Sequence, residues 1–234
     1  MKYAPAVLAA ALLVAGCSSD NKDLPDLGPS ITMSPPAANA GVPDSAKLMS
    51  ALLTESELPV GFGALADPSI GPSAAQPSPT KASTNTDPPE CAAVLEPIAD
   101  VSPGATGRAL GRFQGTDFSS IDIDAASYSP STVADAFAHV QDVFAKCTEY
   151  SDKDGDGVKI SFTLARLDRP KSGDSSVSIR LQTESEGVTL TSDVVVMVVG
   201  TTIVQFAATG TSPIAPQVLT DLVDKQATKI RDIK

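Results

Sequence analysis

The stretch VTLTSDVVVMVVGTTIVQFAATG, residues 188–210, decides the fold. It joins two runs rich in β-branched apolar residues through Gly200-Thr201, and a two-residue connection that begins with glycine is typical of a β-hairpin. Thr202 and Gln205 interrupt the apolar run, so it does not have the composition of a membrane span. The pattern therefore predicts a hairpin at the centre of a sheet.

Three further segments before the hairpin have the alternation of half-buried strands. The segments 158–164 and 177–182 alternate apolar and polar residues, and SSIDIDAASYS, residues 119–129, alternates isoleucine with aspartate. With the hairpin they make about five strands. Because the last four follow one another with short connections, an antiparallel sheet is expected.

Helical periodicity appears on both sides of these strands. Short helices are predicted over residues 45–58, where Thr54 and Glu57 fit a capping box, and over residues 91–100. Two longer helices are predicted over 133–147 and 213–233, each with an apolar stripe at steps of three and four. The expected fold is α+β, with helices packed on an antiparallel sheet in a single domain over residues 45–234.

The N-terminus has the layout of a bacterial secretory signal: Lys2, a short apolar run, and then Val-Ala-Gly-Cys ending at Cys17. This tetrapeptide resembles the lipobox of bacterial lipoproteins, which implies cleavage after residues 1–16 and lipidation of Cys17. An ordinary signal with an incidental thiol at Cys17 is the alternative. Lipidation would hold the protein on the extracytoplasmic side of the cell membrane.

Two segments have the composition of irregular chain. Residues 17–44 are rich in Pro, Ser, Ala and Gly, and we expect a disordered tether that follows the lipidated cysteine. Residues 66–89 are rich in Pro, Ser and Thr, and we expect a long surface loop.

The two other cysteines are expected to form a disulfide. In an exported chain Cys91 and Cys147 face an oxidising compartment, and two is the number that one bridge requires. The apolar stripe of the helix over 133–147 includes Cys147, which would direct its sulfur towards the core. A reactive thiol is the alternative, although neither cysteine lies in a CxxC motif.

Composition argues against several classes of function. The net charge of −11, without a basic patch, excludes a nucleic-acid partner. The chain has one histidine, His139, on the polar side of its helix, and it has no P-loop, G-x-S-x-G or G-x-G-x-x-G motif. We therefore expect neither an enzyme nor a cofactor.

One short motif indicates a metal. Asp152, Asp154 and Asp156, followed by Gly157, match the first half of an EF-hand calcium loop. The twelfth position, where a bidentate Glu belongs, is Thr163. A solvated turn is the favoured interpretation, so no metal site is predicted and calcium stays the minor alternative.

A family resemblance rests on LLTESELPVGF, DPPECAAVLEP and SPSTVADAFAHVQDVFAKC, followed by strands and a terminal helix. These segments resemble the PknH-like extracellular sensor domains of transmembrane serine/threonine kinases, and the chain as a whole is similar to an actinobacterial (mycobacterial-type) cell-envelope lipoprotein. The resemblance implies an α+β domain with a cleft. It supplies no catalytic residues, and the chain lacks a kinase domain.

Three functions remain from the sequence. The first is a lipid-anchored binding or sensor-like domain of the envelope with a small or lipid-like ligand. The second is a scaffold for envelope proteins, and the third is an undetected hydrolase. An apolar pocket would favour the first, a flat apolar patch the second, and a cluster of carboxylates with raised pKa values inside a cleft the third.

Overall fold

The computed structural model describes residues 25–65 and 85–233. One antiparallel sheet of eight strands runs through them, in the order β1-β2-β3-β8-β7-β6-β5-β4. The strands are β1 (Gly63–Ala64), β2 (Gly107–Gln114), β3 (Ser120–Ser127), β4 (Glu149–Lys153), β5 (Lys159–Arg166), β6 (Ser175–Ser185), β7 (Val188–Val199) and β8 (Thr202–Gly210).

The expectation of about five strands is wrong, while the α+β class fits. β1 has only two residues, and β2 contains Gly107 and Gly111, which weaken any strand signal. β4 ends inside the Asp-rich segment that was interpreted as a turn. In each case pairing with a neighbouring strand makes the strand, which local composition does not encode.

The predicted central hairpin is confirmed. β7 and β8 pair from Val199↔Thr202 to Thr191↔Gly210. Gly200 begins the turn at φ 60°, a conformation that glycine adopts without strain. β8 also pairs with β3, so the hairpin lies among the inner strands of the sheet, as its mostly apolar composition indicates.

Four α-helices and two 3-10 helices accompany the sheet. They are α1 (Ser45–Ser50), a 3-10 helix (Glu55–Glu57), a second 3-10 helix (Pro89–Leu95), α2 (Ile98–Val101), α3 (Val133–Lys146) and α4 (Pro216–Arg231). The predicted capping box is present, because the Thr54 amide donates to Glu57 Oε2 at 2.9 Å. Among the described residues no helix is long and apolar enough to cross a membrane.

Each face of the sheet has its own core. On the first face, α1, Leu58 and α4 pack on alternate residues of β2, β3, β7 and β8. On the second face, α2, α3 and the second 3-10 helix pack on the other residues of β7 and β8 and on β5 and β6. The apolar stripes predicted for α3 and α4 are the buried ones.

The structure contains the disulfide between Cys91 and Cys147, with the two Cα atoms 5.5 Å apart. It joins the second 3-10 helix to the residue that follows α3, and both cysteines are buried in the second core. The bridge therefore fastens the cover of the second face.

The N-terminal segment lies along the domain from the first described residue. The backbone of Ile31 forms two hydrogen bonds with the Gln141 side chain of α3, and the Thr201 hydroxyl donates to the Gly41 carbonyl at 2.7 Å. The part of the expected tether that is described, residues 25–44, thus contacts the fold. Residues 1–24, which include Cys17, and residues 66–84 of the expected loop lie outside the described residues.

Candidate functional site

A groove of about 330 Å³ opens between the second face of the sheet, the C-terminal end of α3 and the chain at residues 94–97. We call it the sheet groove. Its floor comes from five adjacent strands, because the side chains of alternate residues project to one face. The floor residues are Leu110, Arg112, Asp122, Asp124, Ile179, Leu181, Ser192, Val194, Gln205, Ala207 and Thr209.

One side of the groove floor holds a buried carboxylate. Asp124 of β3 is 7% exposed, and its Oδ2 accepts a hydrogen bond from the Ile98 amide at the start of α2. Burial raises the pKa of Asp124 to about 6, and the charge of Asp100 adds to the shift. The hydrogen bond from Ile98 and the charges of Arg108 and Arg112 act against it. No ion pair to Asp124 occurs among the described residues, so its charge is only partly compensated.

Two further carboxylates lie on the same side of the groove. Asp122 accepts a hydrogen bond from the Ser120 hydroxyl at 2.9 Å and lies 3.9 Å from Arg112 Nε, yet burial still raises its pKa. Burial, assisted by Asp100, also raises the pKa of Glu96. Groups with raised pKa values that converge in a groove are typical of functional sites.

The segment that carries Ile98 is held firmly in place. The Tyr128 hydroxyl, fully buried, donates to the carbonyl oxygens of Ser102, at 2.7 Å, and Ile98, at 3.2 Å. The Ser102 hydroxyl donates to the Ala136 carbonyl of α3. These bonds hold both ends of α2 and so fix the Ile98 amide, which donates to Asp124.

The opposite side of the groove is apolar. Ile179, Leu181 and Val194 form the floor there, and Phe144 of α3 closes one end. Leu95 stands on the rim and is 56% exposed, although its neighbour Val94 is buried. The groove therefore offers an apolar surface beside carboxylate oxygens that accept hydrogen bonds.

The residues predicted from the sequence lie elsewhere. Cys91 and Cys147 lie in the core of the second face, and Cys17 is outside the described residues. His139 is exposed on α3. The sequence pointed to none of the groove acids: the alternation in β3 was interpreted as aspartates on a solvated side, whereas both sides of this inner strand are covered.

The Asp-rich segment forms the β4–β5 connection. The Asp152 carboxylate accepts hydrogen bonds from the Thr86 hydroxyl and the Lys153 amide. Asp154 Oδ1 accepts from the amides of Asp156 and Val158. Across the described residues, no three His, Cys, Asp or Glu side chains are grouped so that they could hold a metal ion.

The fold is similar to a known structure. No protein-family model matches the chain, and no curated protein sequence matches it. The crystal structure of the extracellular domain of PknH from Mycobacterium tuberculosis matches with a TM-score of 0.57 at 13% sequence identity, over 83% of this chain and 97% of that domain. The two chains share a fold. The similarity expected from the sequence is confirmed at that level.

Proposed function

We propose that this protein is a lipid-anchored, extracytoplasmic binding domain of the cell envelope, which holds a small or lipid-like ligand in the sheet groove. Support for the location comes from the lipobox-like sequence at Cys17, the disulfide, and a fold shared with an extracellular domain. The ligand has an apolar part that contacts Ile179 and Leu181, and a group that donates hydrogen bonds to Asp122 and Asp124.

The observation that carries the proposal is that the Asp124 carboxylate is buried and forms no ion pair with a described residue. A carboxylate that is buried without an ion pair costs stability at neutral pH, and an apolar residue of similar size would avoid that cost. Such groups are retained where a site uses them. The groove beside it, about 330 Å³, lies within the range of small-molecule sites.

Native mass spectrometry of the full chain, purified from its own membrane, tests the proposal. Ala207→Phe fills the groove from a partly exposed floor position, and Thr189→Phe adds the same side chain at an exposed position outside it. We expect an additional bound mass on the wild type and on Thr189→Phe, and its loss from Ala207→Phe. A wild type without bound mass, or equal retention by Ala207→Phe, contradicts the proposal.

Hydrolysis is the second candidate, because the groove does bring together carboxylates with raised pKa values. The same preparation separates it from binding. A binding domain returns its bound mass unchanged after incubation, whereas a hydrolase converts it into smaller products and Asp124→Asn stops the conversion.

The scaffold interpretation requires a surface that contacts another envelope protein. The exposed side chain of Phe118, on the β2–β3 connection, would be that contact.

A further inference from the structure

A second cavity, of about 320 Å³, lies at the end of the β5–β6 connection and concentrates positive charge in an acidic protein. Arg166, Arg169 and Lys171 line it, and its lining contains no acidic residue. Leu27, Pro29 and Ile31 of the N-terminal segment form the facing wall, and two serines of β6 complete it. We call this cavity the basic pocket.

No cation of the basic pocket forms an ion pair within 4.0 Å with another described residue. Other basic side chains, such as Arg108, Arg180 and Lys229, do form such pairs. Within the described part of the chain, Lys171 Nζ donates to the Asp174 carbonyl, at 3.2 Å. Three cations that lie together in this way attract an anion.

Arg169 supplies an independent observation. Its Nη1 donates to the Ser172 hydroxyl at 3.2 Å, and that hydroxyl donates to Asp224 Oδ1 at 2.8 Å. Its Nε and Nη2 are shielded from solvent and have no acceptor within the described part of the chain. The Asp224 carboxylate, reached through Ser172, compensates the guanidinium in part, and an unsatisfied charged donor is costly. The positive charge that remains adds to that of the adjoining pocket.

The surroundings of the pocket favour a phosphate group with an apolar neighbour. Ser176 and Ser178 belong to the lining together with the cations, and Leu27, Ile31 and Val177 add apolar surface. Gly28 adopts φ +76°, and a Cβ there would lie 3.3 Å from Arg166 Nη1, so glycine leaves room for that guanidinium. Hydroxyls and guanidinium groups are common ligands of phosphate oxygens.

We propose that the basic pocket binds a phosphate group, with the headgroup of an anionic membrane phospholipid as its source. The Pro25 carbonyl accepts a hydrogen bond from the Arg166 amide at 3.0 Å. Pro25 follows Cys17 by eight residues in the sequence. Eight residues span at most about 29 Å, at about 3.6 Å for each residue. If Cys17 is lipidated, as the proposed function holds, the pocket lies near the bilayer surface.

Vesicle flotation of the full chain with Cys17→Ser tests the inference without a lipid anchor. The probes are phosphatidylcholine vesicles with and without phosphatidylglycerol, and inorganic phosphate is measured separately by calorimetry. Arg166→Gln/Lys171→Gln removes two exposed cations of the pocket. Lys153→Gln/Lys159→Gln removes two exposed cations at the opposite end of β5 and is the matched control for net charge.

We expect the pocket variant to bind phosphatidylglycerol vesicles about 30-fold more weakly, since each basic side chain near an anionic surface contributes about a factor of five. The control should change much less. Phosphate binding that is lost in the pocket variant while vesicle affinity stays unchanged assigns the pocket to a free phosphate-bearing ligand and overturns the membrane source. Equal vesicle affinity in all chains, or an equal loss in the control, overturns the inference. Ala207→Phe should leave vesicle binding unchanged, which separates this site from the sheet groove.

Discussion

Each face of the sheet has a buried aspartate, and the two aspartates differ in whether they form an ion pair with a described residue. On the first face, Asp193 of β7 is 2% exposed and forms a bidentate ion pair with Arg180, at 2.7 and 2.9 Å. On the second face, Asp124 of β3 is almost as buried, yet within residues 25–65 and 85–233 its hydrogen-bond partner is the Ile98 amide and no ion pair is formed. The pairing on the first face is structural, whereas the second face keeps a charge that is costly for folding.

The covers of the two faces differ in the same way. α4 and α1 close the first face over an apolar core. On the second face, the second 3-10 helix, α2 and α3 leave the sheet groove open beside them, and the disulfide holds this cover in place. We infer that the first face mainly stabilises the fold, and that the second face holds the proposed site.

The largest expected effect comes from the disulfide. Replacing both cysteines, Cys91→Ala/Cys147→Ala, should lower the free energy of unfolding by about 4 kcal/mol, because the bridge closes a loop with ends 56 residues apart. Urea denaturation measures the loss. Hydrogen exchange should increase at the Glu96 amide on the second face more than at the Leu219 amide on α4, and equal increases would contradict the assignment of the bridge to one face.

A buried helix glutamine on each face provides a matched pair. Gln226 of α4 bonds the Leu53 amide and the Ala51 carbonyl, both at 2.9 Å, and Gln141 of α3 bonds the backbone of Ile31. Gln226→Leu should cost about 3 kcal/mol because it leaves two buried backbone groups unpaired. Gln141→Leu should cost about 1 kcal/mol, since Ile31 is 40% exposed and water can replace the side chain.

Thermal and urea unfolding of the two glutamine variants provide the measurement. A similar loss in both would mean that residues 25–33 are as integral to the core as the Ala51–Leu53 segment is. A Gln141→Leu variant with native stability and faster proteolysis near Ile31 would sharpen the distinction between the faces.

The two aspartates should respond oppositely to removal of their charge. The folded pKa of Asp124, about 6, lies above the ordinary aspartate value of 3.8, so the folded state binds the extra proton between these values. Its contribution to stability therefore falls as pH rises from about 4 to 6, and at pH 7 Asp124→Asn should raise stability by about 2 kcal/mol. The difference from wild type should disappear below pH 4.

Asp193→Asn should instead lower stability by about 2 kcal/mol, because it leaves the partly buried Arg180 without its carboxylate. Urea unfolding at pH 4 and pH 7 compares both variants with wild type. If Asp124→Asn destabilises the protein at pH 7, the carboxylate supports the fold and the contrast between the faces fails.

The smallest expected effect is that of Glu57, which joins the first 3-10 helix to α4. Burial alone would raise its pKa, but hydrogen bonds from Lys229 (2.6 Å), Thr54 and Lys225 lower it to about 2. The stabilisation is present above pH 4.5 and is lost as pH falls towards 2. Glu57→Gln should therefore cost about 1 kcal/mol at pH 7, less towards pH 2, because the pair is near the surface. A cost that stays constant down to pH 2 would rule out the ionic origin.

Features set by local sequence could be predicted. The central hairpin, the stripes of α3 and α4, the capping box at Thr54 and the disulfide all depend on periodicity or on residue type. β1, β2 and β4 could not be predicted, because their strand state comes from pairing with distant residues such as the Gln114 partner of Gly63.

The groove was missed for the same physical reason. The alternation of Ile and Asp in β3 correctly predicts that successive side chains face opposite sides. It does not show that α2, which β2 and two loops separate from β3 in the sequence, lies over the aspartate side and buries Asp124. Arg108 and Arg112 of β2, four residues apart, face the same side, and Arg112 pairs with Asp122. The even spacing of these arginines, like that of the aspartates, is a sequence signal that could have located this side of the groove.

A site-resolved titration of the side-chain carboxyl carbons of Asp124 and Glu57, followed by nuclear magnetic resonance in the ligand-free full chain, tests the contrast between the faces most directly. We predict that Asp124 titrates near pH 6 and Glu57 near pH 2. Titration of both groups between pH 4 and 5, close to the values of exposed carboxyls, would show that the second face holds no poorly compensated carboxylate. That result would contradict the role proposed for Asp124 in the sheet groove.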